Sequence, residues 1–429
     1  MIYQPDIEQL PLISLRKLQT QRLEELLQRL YHSVPFYQDT WKKEGIDINQ
    51  IRRLEDLHKL PFTTKDDLRN NYPFALFAEP MENISRIHAS SGTTGKPTVV
   101  AYSPRDLEIF DEVVARSLVC AGARPGMRLH NAYGYGLFTG GLGMHGGATR
   151  LGMAVIPVSG GMTDRQITIL NDFEPEVICC TPSYALTLAE ACNQLGLQNL
   201  NLKYAILGAE PWTETVRSQI EAGLALEATN IYGLSEIMGP GVSQEEVNEK
   251  GTGSHIWEDH FFPEVVDPET REPLPYGQEG VLVLTTLTKQ AFPLLRYWTN
   301  DVCSIYYDSD SRRTHIKMSQ VKGRVDDMLI IRGVNLYPTQ VESHLKEFPE
   351  LSANYQLVAQ REQALDKLLV RVEINPSVIG EIDGEQLRQQ VSHKLKNNIG
   401  LTIDIEINEF GEIPRSEGGK LNRVLDKRK

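Results

Sequence analysis

The chain has 429 residues, of which 41% are hydrophobic, and its formal net charge is −13. This length allows one large and one small domain with substantial cores. The acidic balance argues against a nucleic-acid-binding protein, because such proteins usually carry a basic patch. No uninterrupted apolar run approaches the roughly eighteen residues of a membrane span, so we do not expect a membrane as a partner. Because of the acidic charge we do not expect nucleic acid as a partner either.

The cysteine content indicates a reducing environment. None of the five cysteines forms a C-x-x-C pair, and Cys179 and Cys180 stand in an apolar run that is typical of buried thiols. Residues 1–11 contain no apolar stretch that could act as a secretion signal. An odd number of cysteines without such a signal predicts a cytoplasmic protein.

The first predicted elements are two helices. Ser14 is expected to cap a helix that runs through His32 and carries a row of leucines on one face. Residues 60–68 predict a turn that leads into a second capped helix. Lys65 in this segment either faces a substrate or phosphate or is simply solvated, and the sequence leaves both interpretations open.

The stretch from Ala89 to Thr98 is rich in glycine and hydroxyl groups, carries one lysine, and lies between two β-prone segments. Glycine lets backbone N–H groups approach an anion, and hydroxyls with an ammonium group complete a phosphate cradle. The stretch is not the common P-loop, because Gly92 and Gly95 are too close together and Pro97 follows the lysine. The predicted polyphosphate-binding residues are Ser90, Ser91, Gly92, Thr93, Thr94, Gly95 and Lys96. The alternative is a mobile polar hairpin turn.

Four further motifs follow this stretch in order. They are Gly208-Ala209-Glu210-Pro211, Tyr232-Gly233-Leu234-Ser235-Glu236, Gly323-Arg324-Val325-Asp326-Asp327 and Pro414-Arg415-Ser416-Glu417-Gly418-Gly419-Lys420. Together with SSGTTGKP, this set resembles the adenylate-forming superfamily, the acyl-CoA synthetases and their relatives. Residues 255–260 and 327–335 resemble its phenylacetate–CoA ligase branch, and the similarity runs from about Leu15 to about Val424.

The resemblance implies an α/β fold with two domains. Residues 1–325 are expected to form a large adenylate-forming domain with mixed, mostly parallel sheets flanked by helices. Residues 326–429 are expected to form a small mobile α+β domain that carries the catalytic lysine. The resemblance also implies ATP, Mg²⁺ and coenzyme A as cofactors, an aromatic acid as substrate, and a homodimer.

Residues 131–143 interleave aromatic side chains with glycine, after a predicted helix that Pro104 opens and Gly122 ends. Aromatic rings can form walls, and glycines leave room for a flat apolar ligand. In the resembled ligases this region walls the acyl pocket. The expected substrate-pocket residues are Tyr135, Gly136, Phe138, Gly140 and Gly141, together with Ile237. The alternative is a glycine-rich buried connection.

Strands and helices alternate from Val155 onward. Residues 177–180 and 204–207 are short apolar strands, and helices start at Thr181-Pro182 and at Thr213. Such alternation predicts a mostly parallel sheet with helices on its faces. Ligands of such sheets bind beyond the carboxyl ends of the strands, which is where the next two motifs fall.

We interpret these two motifs as the adenine and metal sites. The adenine residues are expected to be Gly208, Ala209, Glu210, Pro211, Tyr232 and Gly233. Small residues let the purine edge reach the backbone, and a tyrosine ring can stack on its face. Glu236 is expected to be catalytic by binding Mg²⁺, which prefers oxygen ligands and bridges phosphates. Taken alone, the second motif also fits a helix start with a capping glutamate.

The segment from His255 to His260 looks superficially like a metal cluster. Some members of the resembled family place cysteines near here and after residue 300, which suggests a structural zinc. This chain has Glu246 in the first region and Asp308-Ser309-Asp310 in the second. Without thiolates a structural zinc is unusual, so we expect none.

The remaining site residues are assigned by the resemblance. Asp301 follows a predicted strand at 281–287 and is expected to accept hydrogen bonds from both ribose hydroxyls, since a carboxylate has paired acceptors. Arg324 is expected to reach ribose or phosphate and to be catalytic. The hinge is assigned to Asp326, the CoA tunnel to Arg332 and Gly333, and the catalytic lysine to Lys420. Family members often have Arg-Thr-Arg-Asp where this chain has Trp298-Thr299-Asn300-Asp301, so the charge near Asp301 differs.

The small domain is predicted from five elements. Strands are expected at residues 328–332, 368–374 and 403–407, and helices at residues 385–397 and directly after Thr339, which is expected to be a cap. This gives an α+β unit of about a hundred residues. The alternative to a catalytic role for Lys420 is that it is an exposed lysine in a disordered tail.

The sequence thus predicts a two-step ligase. An aryl-acetate-like carboxylate attacks the α-phosphate of ATP to give an acyl-adenylate, and the thiol of coenzyme A then displaces AMP. Catalysis is expected to be mainly charge stabilisation and positioning. Two alternatives stay open: an enzyme that loads an aryl acid onto a carrier protein, and a nucleotide-binding regulatory protein with a dead site. The identity of the acid is not determined by the sequence.

Overall fold

The structure is a computed structural model that describes residues 1–90, 97–197, 200–325, 329–331, 334–362, 365–378, 383–415 and 423–428. Within these ranges the helices are α1 (Pro5–Glu8), α2 (Leu12–Ser33), α3 (Pro35–Glu44), α4 (Lys65–Asn70), α5 (Pro104–Cys120), α6 (Thr139–Leu151), α7 (Thr163–Phe173), α8 (Pro182–Gln194), α9 (Glu214–Leu224), α10 (Pro338–Leu345) and α11 (Gly384–Ile399). The strands are β1 (Arg86–Ala89), β2 (Val99–Tyr102), β3 (Arg128–Asn131), β4 (Ala154–Ile156), β5 (Val177–Cys180), β6 (Tyr204–Gly208), β7 (Glu227–Leu234), β8 (Gly239–Glu245), β9 (Ser254–Ile256), β10 (Phe261–Val266), β11 (Gly280–Thr286), β12 (Tyr297–Cys303), β13 (Ile305–Tyr306), β14 (Lys317–Met318), β15 (Gly323–Arg324), β16 (Leu329–Ile331), β17 (Val334–Leu336), β18 (Leu351–Glu362), β19 (Leu365–Ile374), β20 (Asp404–Asn408) and β21 (Val424–Asp426).

The predicted N-terminal helix is α2, but Ser14 does not cap it. Pro11 occupies the N-cap position in an extended conformation, so the helix starts directly behind it and Ser14 lies in its first turn. The buried leucines of this helix are Leu15, Leu23, Leu26, Leu27 and Leu30. The second predicted cap is confirmed, because the Thr64 side chain accepts a hydrogen bond from the backbone N–H of Asp67.

The central sheet has the strand order β13-β14-β9-β8-β7-β6-β5-β3-β4 among the described residues. Parallel pairing is concentrated in β3 to β7, and the strands from β8 onward are added in antiparallel pairs. A parallel sheet covered by helices buries both of its faces, and β5 is accordingly buried along its whole length. The predicted α/β fold with mixed sheets flanked by helices is confirmed.

Two smaller sheets complete the part of the fold that positions the site. Strands β10, β11, β12 and β15 form an antiparallel sheet, in which Asp301 of β12 is paired with Arg324 of β15. Strands β1 and β2 form an antiparallel hairpin, so the glycine- and hydroxyl-rich stretch joins two paired strands. Residues 91–96 of that stretch lie outside the described residues.

A helix that the sequence did not predict, α6, packs closely against α5. The expected loop at residues 131–143 ends at Phe138, and the backbone is helical from Thr139. A Cβ atom on Gly147 would lie 2.4 Å from Cβ of Val114 and 2.9 Å from the backbone nitrogen of Ala115. The close approach of the two helices therefore requires glycine, and packing outweighs the low helix propensity of this residue type.

The C-terminal part forms a separate α+β unit. Its described strands follow the order β20-β19-β18-β21, with α10 and α11 beside them. Thr339 does not cap α10, because this helix begins at Pro338 with Tyr337 at the N-cap, and proline favours the first helical position. The sequence analysis missed β18, although residues 351–357 alternate between apolar and polar side chains. The boundary between residues 325 and 326 stays a prediction, since residues 326–328 are not described.

Buried apolar side chains form distinct cores in the two parts of the chain. The larger clusters lie under the central sheet, and a separate cluster lies between the sheet and helices of the C-terminal unit. No helix in the described ranges is both long enough and apolar enough to cross a lipid bilayer.

The contact between α5 and α6 gives a stability prediction. In an open helix, Gly→Ala stabilises by about 1 kcal/mol. We expect Gly147→Ala to do the opposite and to cost about 1–3 kcal/mol of unfolding free energy, because the new methyl group overlaps Val114. Urea unfolding measures the change. Gly384→Ala in α11 is the matched control, since nothing lies within 4 Å of its Cβ position, and a stabilised Gly147→Ala variant would contradict the packing argument.

Candidate active site

Two predicted nucleotide-binding residues, Tyr232 and Arg324, donate hydrogen bonds to a third, Asp301. The hydroxyl of Tyr232 donates a hydrogen bond to Oδ2 of Asp301 over 2.6 Å, and Arg324 donates from Nη1 to Oδ1 over 3.1 Å. Asp301 is 5% exposed, and Tyr232 lies near the end of β7. Burial raises the pKa of Tyr232 well above its ordinary value, and the Asp301 carboxylate adds to this effect. The site thus presents a fixed, buried carboxylate with a phenol ring beside it.

The predicted adenine turn, residues 208–211, follows β6 at the same edge of the sheet. A Cβ on Gly208 would lie 2.1 Å from the carbonyl oxygen of Ile231, so only glycine fits at this strand end. Ala209 has a φ of 72° and is exposed, and Pro211 is exposed as well. The half-buried carboxylate of Glu210 accepts a hydrogen bond from the backbone of Ser183 over 3.3 Å. The strand end thus excludes any side chain at Gly208, and the exposed Ala209 and Pro211 leave the turn accessible.

Gly233 also sits where a side chain cannot. A Cβ at this position would lie 1.7 Å from the carbonyl oxygen of Gly239, across the turn between β7 and β8. This turn carries Glu236 and is not the start of a helix, so that alternative is wrong. The tight crossing brings the end of β7 back beside the first residues of β8.

Glu236 is 7% exposed at the head of this turn. Beside it the hydroxyls of Ser235 and Thr139 hydrogen-bond each other over 3.0 Å. A carboxylate with hydroxyl groups nearby is an all-oxygen donor set, which fits the preference of Mg²⁺. Burial raises the pKa of Tyr297, and the nearby carboxylate of Glu236 raises it further.

The phosphate stretch is described only at its ends. The backbone N–H of Ser90 donates to the carbonyl of Thr98 over 2.9 Å, which closes the hairpin below the undescribed residues. The hairpin is tied to the predicted acyl loop, because both the backbone N–H of Ala89 and Nδ1 of His88 donate to the carbonyl of Leu137. Ser91 to Lys96 lie outside the described residues, so their phosphate role stays a prediction.

The predicted acyl pocket is formed by a loop that lies on the first turn of α6. Tyr135 is half-buried, accepts a hydrogen bond from Asn131 over 2.8 Å, and has its pKa raised to about 12 by burial. Gly136 and Phe138 are exposed, with Phe138 at 50%. Beneath this loop lie Gly140 and Gly141 of α6.

Close contacts fix the inner side of this pocket. A Cβ on Gly141 would lie 2.4 Å from the carbonyl oxygen of Gly134, and one on Gly140 would lie 3.5 Å from the Tyr133 side chain. Ile237 is fully buried at the next turn, beside Glu236. The buried predicted pocket residues are therefore Gly141 and Ile237, and Phe138 lies at the exposed rim.

The acidic and histidine residues near position 255 are neutralised by protein cations. Glu246, Glu249 and His255 are close enough together to hold a metal, as are Glu112, Asp259 and His260. Arg313 forms ion pairs with Glu246 and with Glu8, and Lys317 pairs with Glu249 over 2.7 Å.

The second group has the same arrangement. Arg116, fully buried, contacts the Asp259 carboxylate over 2.7 Å. Burial acts to raise the pKa of Asp259, but the Arg116 guanidinium, together with His260 and His315, outweighs this effect and the pKa is lowered. These carboxylates already have cationic partners, and the expectation that no structural zinc is bound stays a prediction.

Three site residues were missed by the sequence analysis. His88 ties the hairpin to the acyl loop, Tyr297 lies beside Glu236, and Lys289 donates hydrogen bonds to the backbone of the Glu236 turn. Burial lowers the pKa of Lys289 to about 8, while the carboxylates of Asp106 and Glu236 act to raise it. Lys289 lies in the loop after β11, where a lysine is usually exposed, and His88 lies in β1 outside any motif, so the sequence signal for both residues is weak.

Four further assignments cannot be placed by the structure. Asp326, Arg332, Gly333 and Lys420 lie outside the described residues, so the hinge, the CoA tunnel and the catalytic lysine stay predictions. Arg415 is the last described residue before the undescribed residues 416–422, and it contacts the large domain. Its partner there is Glu190 of α8, at 3.2 Å.

The comparisons with known proteins identify the family of the chain. A family model described as AMP-binding enzyme matches residues 22–288, and one described as AMP-binding enzyme C-terminal domain matches residues 333–428. A protein from Thermus thermophilus named phenylacetate-coenzyme A ligase is 57% identical, with 100% of each chain covered. One of the same name from Escherichia coli is 48% identical over 98% of this chain and 97% of that one. A solved 2-hydroxyisobutyryl-CoA ligase in the postadenylation state is 29% identical, with a TM-score of 0.92, over 99% of this chain and 92% of that one.

The α/β fold with its separate C-terminal unit and these family matches define the class of the protein as an adenylate-forming enzyme, and the predicted nucleotide-binding residues Tyr232, Asp301 and Arg324 are hydrogen-bonded to one another in it. The family matches cover most of both domains, and the full-length relatives narrow the class further. The chain belongs to the AMP-binding enzyme family, in its phenylacetate–CoA ligase branch.

The contacts of Asp301 give a binding prediction. Tyr232 and Arg324 both donate to this carboxylate, and an amide of the same shape accepts at only one of its two positions. We expect Asp301→Asn to weaken AMP binding about ten- to a hundredfold, since hydrogen bonds to a charged group are each worth about 1.5–3 kcal/mol. Calorimetric titration with AMP measures this. Asp172→Asn at the exposed end of α7 is the control, and equal affinities of the two variants would contradict the assignment.

Proposed function

We propose that the protein joins a phenylacetate-like aromatic acid to coenzyme A at the expense of ATP, through an acyl-adenylate, with release of AMP and pyrophosphate. The observation that carries the proposal is the meeting of Tyr232, Asp301 and Arg324 directly beside the Glu236 turn and the acyl loop. A nucleotide bound by these three residues would have its α-phosphate near an acid held by the acyl loop and the Glu236 turn. The names of the relatives at 57% and 48% identity support the same substrate class.

In the first step, a carboxylate oxygen of the acid attacks the α-phosphorus of ATP. The new O–P bond forms as the bond to the β-phosphate oxygen breaks, and pyrophosphate leaves. Asp301 holds the ribose and Arg324 the ribose or phosphate, while residues 90–96 cradle the departing phosphates. Glu236 would hold Mg²⁺, whose charge offsets that of the phosphates. Lys420 neutralises the charge that develops during the attack.

In the second step, the thiol of coenzyme A attacks the acyl carbonyl, and AMP leaves with the electron pair of the broken C–O bond. The small domain turns about Asp326 between the steps, which withdraws Lys420 and brings Arg332 and Gly333 to the CoA tunnel. No covalent enzyme intermediate is needed. The cysteines are all free and buried, and burial raises the pKa of the Cys179 and Cys303 thiols, so they suit no nucleophilic role.

One contact between the two domains supports the domain arrangement of the adenylation step over that of the thioester-forming step. Arg415 forms a double hydrogen bond with the buried carboxylate of Glu373 and reaches Glu190 of the large domain. Asn354 donates to the same Glu190 over 3.3 Å. The 2-hydroxyisobutyryl-CoA ligase in its postadenylation state matches this chain with a TM-score of 0.92, against 0.74 for its thioesterification state. The arrangement described here thus resembles the one that follows adenylation.

Assembly and location complete the proposal. We take the enzyme to be a homodimer, as the family resemblance implies. We take it to be cytoplasmic, and five free cysteines fit a reducing compartment.

A panel of aromatic acids, assayed for AMP release with ATP, Mg²⁺ and coenzyme A, tests the function. We expect phenylacetate or a close analogue to give AMP and the CoA thioester. Lys420→Ala is expected to abolish adenylation but to spare thioester formation from preformed acyl-AMP. Release of AMP only with a pantetheinylated carrier protein supports the alternative acceptor. If no acid gives AMP, the proposed ligase function is wrong. If Lys420→Ala slows both half-reactions equally, the proposed role of Lys420 in adenylation alone is wrong.

The contact at Glu190 gives a separate prediction. In Glu190→Ala, Arg415 and Asn354 lose their large-domain partner, and the arrangement described here becomes less populated. The pair is partly exposed, so we expect only about a two- to fivefold slower pyrophosphate–ATP exchange, which corresponds to about 0.5–1 kcal/mol. Thioester formation from preformed acyl-AMP is expected to be unchanged or faster. Glu108→Gln removes an exposed pair within the large domain and is the control; a variant that slows both half-reactions alike counts against this role.

A further inference from the structure

Lys289 is a fully buried lysine to which the reaction above assigns no step. It lies in the loop between β11 and β12 and is 1% exposed. An ammonium group without water is costly, so its surroundings must supply partners. Its Nζ donates to the carbonyl oxygens of Ile237 over 3.0 Å and of Glu236 over 3.3 Å, and it lies 4.7 Å from the centre of the Tyr102 ring.

These two carbonyls belong to the turn that carries the proposed metal ligand. The next carbonyl, that of Met238, accepts a hydrogen bond from the hydroxyl of Tyr102 over 2.7 Å. Three consecutive carbonyls of the turn are therefore bound by side chains, two by Lys289 and one by Tyr102. Buried carbonyls require donors, and donors held on a rigid support fix where the turn lies.

The loop that carries Lys289 is itself anchored. Asp106 is fully buried and accepts hydrogen bonds from the backbone N–H groups of Gln290 over 2.6 Å and Ala291 over 2.8 Å. The same carboxylate forms the capping box of α5 with Ser103. Lys289 thus connects the start of α5 to the Glu236 turn, and neither end of this connection is free to shift.

We propose that Lys289 is a positioning residue that holds the Glu236 carboxylate in place for the metal and the Ile237 side chain in place for the acid. The inference rests on the proposed function, because it takes Glu236 as the metal ligand. One ammonium group serves two adjacent carbonyls, so its loss releases both residues together. Metal affinity and acid affinity are therefore coupled through one side chain that touches neither ligand.

The test measures metal binding directly, using Mn²⁺ as a paramagnetic probe and α,β-methylene-ATP, which is not cleaved. Electron paramagnetic resonance gives the Mn²⁺ affinity of the full chain without turnover. Replacing a residue that orients a metal ligand typically costs about ten- to a hundredfold in affinity, and we expect a loss of that size for Lys289→Met. Lys289→Gln keeps one amide donor and is expected to fall between Lys289→Met and the wild type. The KM for the acid rises in the same order, while AMP binding stays unchanged.

Lys317→Met is the matched control. Lys317 is an equally buried lysine, but it pairs with Glu249 and Asp308 away from the Glu236 turn. We expect this variant to lose stability without a change in Mn²⁺ affinity. A Lys289→Met protein that melts at a lower temperature but binds Mn²⁺ as tightly as the wild type overturns the proposal, because Lys289 is then only structural.

Two further variants separate the possible failures. If Lys289→Met does not fold, Tyr102→Phe removes the third carbonyl donor alone, and we expect a smaller loss of Mn²⁺ affinity in the same direction. Unchanged affinity in both Tyr102→Phe and Lys289→Gln overturns the proposal. If Glu236→Gln binds Mn²⁺ as well as the wild type, the metal assignment of the proposed function fails, and this inference fails with it. Loss in Glu236→Gln but not in any Lys289 variant rejects only the role of Lys289.

Discussion

The hydrogen-bonded junction at Asp301 is the constraint on which the rest of the site depends. Asp301 belongs to the four-stranded sheet, whereas Tyr232, which donates to it, belongs to the central sheet. Arg324 adds a second donor from the neighbouring strand β15. A buried carboxylate must be satisfied by donors, so these bonds hold the two sheets at one separation. That separation sets the width of the proposed nucleotide site and its distance from the Glu236 turn.

Glycine at close crossings brings the remaining parts of the site within reach. Gly208 and Gly233 stand where a Cβ atom would meet a carbonyl oxygen, and Gly141 stands against the carbonyl of Gly134. These crossings set the backbone positions of the predicted adenine turn, the Glu236 turn and the predicted acyl loop. A ligand as flat as a purine or an aromatic acid needs walls of backbone and ring rather than long side chains. The chemistry therefore depends on backbone approach as much as on the charged residues.

Several buried charged side chains of the large domain are stabilised by oppositely charged side chains or by backbone carbonyls. Arg116 with Asp259, Arg313 with Glu8 and Glu246, and Lys289 with two carbonyls all lie out of contact with water. Such pairs repay their desolvation only when geometry is good, and removing one partner leaves a costly lone charge. Arg313 reaches Glu8 of α1, so the N-terminal segment is fastened to the central sheet by charge. The Glu236 carboxylate differs from these pairs in lying beside hydroxyl groups at the opening of the site, which suits a cation brought by the nucleotide.

The sequence by itself determined the family and the α/β alternation, because these depend on local motifs and on periodicity. Its assignment of the nucleotide-binding residues stays a prediction. Thr64 and Thr181 act as caps where the local pattern placed them, since a cap needs only its own next three residues. The helix from Thr139 depended on a tertiary contact, the packing of its glycines against α5, that local patterns do not encode. The start of α2 behind Pro11 and the strand at residues 351–362 carry local signals that the sequence analysis did not use. The roles of His88, Tyr297 and Lys289 emerged only from the fold, because each acts on a backbone or side chain at least about fifty residues away in sequence. Only the folded chain brings such partners together, and in a buried environment their hydrogen bonds hold the polar side chains in one position.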